Sequence, residues 1–172
     1  MNPVELRREM VENQLRRRGI RDERVLAAML AIPREEFVPE PQRKHAYDDA
    51  PLSIGHGQSI SQPYITALMT EQLKLRPRDN VLEIGAGSGY HAAVLADLAA
   101  RVTSIETISE LAAQARQNLE RTGYSGNVAI VCADGSAGWP AQAPYDAISV
   151  AAAAPEIPWQ LLDQLADPGR LV

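Results

Sequence analysis

From Asn80 onward the chain alternates short apolar runs with longer stretches whose apolar residues recur every three or four positions. Val81-Leu82-Glu83-Ile84, Val102–Ile105, Val128–Cys132 and Tyr145–Val150 are apolar runs of strand length, whereas His91–Ala100, rich in alanine, and Ser109–Thr122 carry helical spacing. Pro158 to Leu165 predicts a further helix, and Gly169–Val172 the start of a fifth strand. Strand and helix in alternation predict an α/β fold: a doubly wound, mostly parallel sheet with helices on both faces. In such a sheet the ligand lies beyond the carboxyl ends of the strands.

The first half follows a different pattern. Pro3–Arg18 has apolar residues at Val4, Leu6, Met10, Val11 and Leu15, which predicts a helix stopped by Gly19. Asp22 is placed to cap a second short helix over Glu23–Ala31, ahead of Pro33. Prolines 39 and 41 make the connector from Pro33 to Pro51 turn-rich. After a loop rich in glycine and serine, Gln62-Pro63 opens a helix to Leu73, with Ile65, Leu68, Met69 and Leu73 on one stripe.

Composition narrows the classes. A chain of 172 residues, 45% hydrophobic and 23% charged, fits one ordinary globular domain and excludes disordered and fibrous classes. The net charge of −5 argues against a nucleic-acid surface, so Arg16-Arg17-Arg18 reads as a solvated helix end. Cys132 is the single cysteine, which rules out an internal disulfide and fits a reducing compartment. With no apolar run approaching a membrane span and no basic start leading into one, the expected location is cytoplasmic, with no membrane partner. His45, His56 and His91 make no zinc-ligand spacing, and no metal is expected.

The strongest chemical signal is Leu82-Glu-Ile-Gly-Ala-Gly-Ser-Gly-Tyr90 at the end of the first core strand. Gly85, Gly87 and Gly89 allow a tight turn and close approach to a ligand. The dinucleotide pattern Gly-x-Gly-x-x-Gly fails at its sixth position, which is Tyr90. Glu83 precedes the first glycine by two residues, and Glu106 ends the next strand. At a strand tip a carboxylate can accept both hydroxyls of a ribose, although taken alone Glu106 is equally a solvated strand end. Asp134-Gly135 follows the third strand, where Asp134 is placed to accept from an adenine amino group; alone, Asp-Gly is an ordinary turn. Together these strand ends describe a nucleoside pocket without a phosphate-binding lysine motif.

With the loop Pro51–Tyr64, PLSIGHGQSISQPY, the chain resembles the protein-L-isoaspartate O-methyltransferase family of class I S-adenosylmethionine-dependent methyltransferases. The resemblance runs through Pro33–Pro39, Ala46–Asp49, Gly57-Gln-Ser-Ile-Ser-Gln-Pro63, LEIGAGSGY, Ala143–Ile148, residues 151–158 and Leu161–Leu165. It implies a Rossmann-like domain over 1–172, with N-terminal helices and an active-site loop in 1–79 and a cofactor-binding core in 80–172. Glu83, Gly85, Gly87 and Gly89 match the family's cofactor cradle, Glu106 its ribose-binding acid, Asp134-Gly135 its adenine-side turn, and Ser61 the serine of its active-site loop. The departures are Ala133 for a usual glycine, Ala151 for a common threonine, and Asp167-Pro168 for Pro-Gly. Family members continue past Val172 into further strands, so the fold is expected to be truncated, as a monomer whose incomplete sheet edge is open to pairing.

The implied reaction moves a methyl group from S-adenosylmethionine to the α-carboxyl of an isoaspartyl residue in a damaged protein or peptide, leaving S-adenosylhomocysteine. A carboxylate is already ionised at neutral pH and needs no base, so alignment and desolvation are the main tasks. Gly55, His56, Gly57, Gln58 and Ser59 would lie over the cofactor and admit the peptide, while Ser61 orients the carboxylate. A helix cap supplied by Ser59 or Ser61 is the structural alternative. At the level of function the alternatives are a relative acting on aspartate of a dedicated peptide, and a noncatalytic cofactor-binding module. A hydrolase is disfavoured, since Gly57-Gln-Ser-Ile-Ser61 lacks the second glycine of a nucleophile elbow.

Overall fold

The computed structural model describes residues 2–152 and 158–172. Part of the family-like stretch 151–158 therefore lies outside the described residues.

Helix α1 spans Pro3–Glu9 behind a capping box in which Asn2 Oδ1 accepts from the Glu5 N–H and Glu5 accepts from the Asn2 N–H. The predicted helix to Arg18 continues, but as a π-helical stretch over Met10–Leu15 and a 3-10 turn over Arg16–Arg18, ending at Gly19 with φ of 104°. In this wider winding Met10, Val11 and Leu15 are all buried. Helix α2, Glu23–Ala31, has the predicted cap: Asp22 Oδ1 accepts from the Arg24 N–H at 2.9 Å. Two 3-10 turns, Arg34–Phe37 and Glu40–His45, form the connector.

The glycine-serine loop is a β-hairpin, which the pattern did not foresee. Strands β1 (Leu52–Gly55) and β2 (Gln58–Ile60) pair antiparallel around His56-Gly57, with φ of 53° and 71°. Positive φ at both central residues is the requirement of a type I′ turn, whose twist matches that of the flanking strands. Helix α3 spans Pro63–Leu73 as expected, but its buried face is Thr66, Ala67, Thr70 and Leu73, with Ile65 exposed. Two threonines occupy the inner stripe because they face polar groups, as described below.

The core sheet comprises β3 (Asn80–Ile84), β4 (Arg101–Glu106), β5 (Val128–Cys132), β6 (Tyr145–Val150) and β7 (Leu165–Leu171), in the order β5-β4-β3-β6-β7. Every neighbouring pair is parallel. Helices α4 (Tyr90–Leu98) and α5 (Ser109–Thr122) cross from β3 to β4 and from β4 to β5, and α6 (Trp159–Asp163) precedes β7. Val81, Val102 and Ala147 face the large core made with α2 to α5, while Leu82, Ile105 and Ile148 face a smaller cluster with Leu161 of α6. Strand β7 begins at Leu165, four residues before the predicted start, after a shorter helix. The Tyr145 N–H donates to the Gln164 carbonyl at 2.8 Å and draws this segment into the sheet early. Pro168 falls in the irregular stretch of the β6–β7 register between Leu165 and Arg170, where it interrupts no regular ladder bond.

Among the described residues, no helix is long and apolar enough to cross a membrane. Cys132 ends β5 and is exposed.

Candidate active site

The chain runs outward from β3 toward β4 and β5 on one side, and toward β6 and β7 on the other. The crevice where these directions part lies beyond β3 and β6, and there the glycine loop sits. The Gly85 and Ala86 N–H groups donate to the Ile105 carbonyl at 2.8 and 3.0 Å, and the Ala151 N–H donates to Ile84 at 2.9 Å. A Cβ on Gly85 would stand 3.1 Å from the Ala151 carbonyl oxygen. Gly87 has φ of 54°, and a Cβ there would meet Ile54 Cδ1 at 3.3 Å. Ile54 belongs to β1, so the hairpin lies over the glycine loop.

Glu106 ties this loop to the next crossover. Its Oε2 accepts from the Gly87 N–H at 2.8 Å and its Oε1 from the Ile108 N–H at 3.0 Å, with 6% of the residue exposed. A carboxylate has about four lone-pair sites, so two remain for a ligand hydroxyl pair. The cradle without side chains and this acid at its rim fit a nucleoside.

A small recess opens between hairpin and loop, bounded by Ser59 and Ser61, by Gly85–Ser88, and by Tyr90 and His91 of α4. A larger cavity of about 410 Å³ lies elsewhere, against Met10, Gln14, Tyr47 and Asp48, and contains none of the predicted site residues. Of the loop residues, Ser59 and Ser61 reach the recess; Gly55, His56, Gly57 and Gln58 form the hairpin tip outside it. Neither serine caps α3. The N-cap is Gln62, without a side-chain cap, and its amide instead donates to Asp49 Oδ1 at 2.7 Å. The Ser61 carbonyl accepts from Arg34 Nη2 at 2.8 Å.

Glu83 is 0% exposed and stands behind the recess, on the face of β3 toward α3 and α4. The Ser104 hydroxyl donates to its Oε2, and His91 Nδ1 lies 3.2 Å from its Oε1. His91 Nε2 is 3.1 Å from Thr70 Oγ1, whose own proton goes to the Thr66 carbonyl at 2.8 Å. Thr70 Oγ1 therefore accepts from the His91 Nε2–H. This network explains the burial of Thr70, while Thr66 beside it on α3 lines the recess. In the sequence His91 is weighed only as a metal ligand, and its place immediately after LEIGAGSGY, on the first turn of α4, is the signal for a role at the site.

Asp134 and Gly135 lie beyond β5, outside the recess. Asp134 Oδ1 accepts from the Ser136 N–H at 2.9 Å, and this bond holds the carboxyl below its usual range. A Cβ on Gly135 would fall 2.7 Å from Ile84 Cγ2, so the turn packs closely on the end of β3.

The family description Protein-L-isoaspartate(D-aspartate) O-methyltransferase (PCMT) matches residues 5–172. The chain belongs to the protein-L-isoaspartate O-methyltransferase family. It is 60% identical over 166 residues to a protein of that name from Methanoculleus marisnigri, covering 96% of this chain and 75% of the relative. A solved structure named protein-L-isoaspartate O-methyltransferase superposes with a TM-score of 0.85 at 35% identity, covering 96% of this chain and 54% of that longer one. A structure from Plasmodium falciparum, described as a putative protein-L-isoaspartate O-methyltransferase in complex with S-adenosyl-L-homocysteine, gives a TM-score of 0.81 at 30% identity. Here the coverage is 96% of this chain and 82% of the other. The parallel five-stranded sheet flanked by helices and the short N-terminal helices are this family's Rossmann-like fold in the present chain.

Proposed function

We propose that this chain transfers a methyl group from S-adenosylmethionine to the free α-carboxyl of L-isoaspartyl residues in damaged proteins and peptides. The observation that carries this reading is the seating of the Ser59–Ser61 segment against the glycine cradle, in a chain of this family. When bound, S-adenosylmethionine supplies an electrophilic methyl on a sulfonium, which leaves as the neutral thioether of S-adenosylhomocysteine.

The chain's own residues then have definable tasks. Gly85 and Gly87 give the nucleoside an approach free of side chains, Gly89 lets the start of α4 pack against Ala115 of α5, and the spare lone pairs of Glu106 face its ribose hydroxyls. His91, fixed between Glu83 and Thr70, forms a rigid wall on the α4 side. Asp134 and Gly135 extend the adenine side beyond β5. Ser61 donates a hydrogen bond to the incoming carboxylate and holds one oxygen toward the methyl group. The hairpin excludes water from both partners, which matters because a hydrated carboxylate is a weak nucleophile. Holding such reactants aligned can supply roughly 7–11 kcal/mol of the barrier.

The product ester carries a leaving group, lost as methanol, that the carboxylate lacks. Attack by the following backbone nitrogen expels methanol and closes a succinimide, whose hydrolysis returns part of the material to normal aspartate. The test is methyl transfer from radiolabelled cofactor to an isoaspartyl peptide and to its aspartyl twin. Base-labile label confined to the isoaspartyl peptide is the expected result. Label on the aspartyl peptide alone would replace this reading with a dedicated aspartyl methyltransferase, and cofactor binding without label would replace it with a binding module.

A further inference from the structure

Arg34 opens the 3-10 turn Arg34–Phe37, yet its side chain is 0% exposed. Nε donates to the Ala46 carbonyl at 2.7 Å, Nη2 donates to the Ser61 carbonyl at 2.8 Å, and the guanidinium carbon lies 4.9 Å from the Tyr90 ring centroid. Nη1 is buried without a hydrogen-bond partner. Among the described residues no carboxylate pairs with this cation. The adjacent acid, Glu35, is committed to Arg7 at 3.2 Å and to the Tyr47 hydroxyl. Burial lowers the pKa of Arg34, but a guanidinium keeps its charge at neutral pH. A buried charge is costly unless an opposite charge compensates it, and among the described residues none pairs with this one.

The two groups that Arg34 holds on the inner side, Ser61 and Tyr90, both line the recess. The guanidinium therefore stands one layer behind the wall at which Ser61 would receive a substrate. The acids near the recess, Glu83 and Glu106, are already bonded to the β4 serine and to the glycine loop.

We infer that Arg34 is a positioning residue that fixes the Ser61 backbone and supplies the positive potential selecting an ionised carboxyl over a neutral amide at Ser61. This rests on the proposed carboxyl methylation and deepens it. In a layer of low dielectric a charge acts across a peptide group and an aromatic ring without touching the anion. A substrate carboxylate at Ser61 would then act as a counter-charge to this buried cation. Selection of this kind also separates the isoaspartyl α-carboxyl from the carboxamides that surround it in any peptide.

The test compares an isoaspartyl peptide with the same peptide carrying an α-carboxamide in place of the free carboxyl. Dissociation constants for both, and for the cofactor, are measured by calorimetry on the wild-type chain, Arg34→Gln and Arg34→Lys, with methylation KM and kcat in parallel. Wild type is expected to favour the carboxylate by about tenfold, equivalent to ~1.4 kcal/mol. Arg34→Gln should abolish that preference and raise KM while cofactor affinity is unchanged, and Arg34→Lys should retain the preference with lower kcat. A purely structural role would weaken both peptides equally in Arg34→Gln, and that result overturns the inference. Should Arg34→Gln fail to fold, Arg34→Lys decides, because loss of preference with the charge retained also overturns it. A wild-type chain that labels the isoaspartyl peptide yet binds both peptides alike sinks only this inference. A wild-type chain that labels no isoaspartyl peptide sinks the proposed function, and this inference with it.

Discussion

In the proposed site Glu106 combines two tasks that most residues keep apart, holding the backbone and facing the ribose. Its oxygens hold the Gly87 and Ile108 N–H groups, and its unused lone pairs face the crevice. Glu106→Ala should weaken cofactor binding by about 1.5–3 kcal/mol, the range for a hydrogen bond to a charged group, with peptide affinity less affected. Calorimetry on a folded variant checks this, and unchanged cofactor affinity would remove Glu106 from the site. Ser61 presents the opposite case, since it contributes no cap to α3. Ser61→Ala and Ser61→Asp should both melt near wild type while losing turnover, Asp more severely because it places a second negative charge beside the nucleophile. Full isoaspartyl methylation by Ser61→Asp would return the residue to a passive wall.

Among the elements, the hairpin and α2 show how local chemistry sets local stability. At the hairpin tip Gly57 has φ of 71°, a conformation that costs an ordinary L residue roughly 1–2 kcal/mol. Gly57→Ala should therefore loosen β1 and β2 by about that amount without unfolding the sheet, which hydrogen exchange at the hairpin amides would show. His56→Asn suits a type I′ turn and should leave the hairpin as stable or more so. Helix α2 depends on Asp22, whose carboxyl is held below its usual range by the Arg24 side chain first and by backbone N–H groups next. A folded pKa below the unfolded one contributes stability that is present above about pH 4 and fades as pH falls further. Asp22→Ala should cost about 1 kcal/mol at neutral pH and flatten that acid limb, as thermal melts at pH 7 and pH 3 would reveal.

Across the whole molecule, the Arg170 side chain ties β7 to the first half of the chain. Arg170 Nε donates to the Leu73 carbonyl at 2.8 Å, and its guanidinium also pairs with Asp79, which is almost fully buried. Arg170→Met leaves the Asp79 carboxylate without that partner. Because the Arg170 side chain is 22% exposed, the expected loss is ~2 kcal/mol rather than the ~3–5 kcal/mol of a fully buried pair. A melting temperature lower by roughly 4–8 °C would agree with that loss for a domain of this size.

What the sequence determined by itself lies where local rules and burial agree. The α5 helix and the β5 and β6 strands follow directly from apolar spacing, and Asp22 and Gly19 stop or start helices by their own chemistry. The glycine loop was legible because three glycines at a strand end have few other uses. The hairpin was not, since LSIG and QSI are too short and too polar to read as strands; they pair because the glycine loop beneath buries Ile54. The inner face of α3 was misread for a related reason. Thr66 and Thr70 look solvent-facing by polarity, yet His91 and Glu83, distant in sequence, make that face polar from the other side. Periodicity measures the contrast between oil and water, so it identifies helices that pack on an apolar core. It cannot see a polar cluster assembled from α3, α4, β3 and β4, or a buried arginine waiting behind Ser61, because those environments exist only once the sheet has brought the segments together.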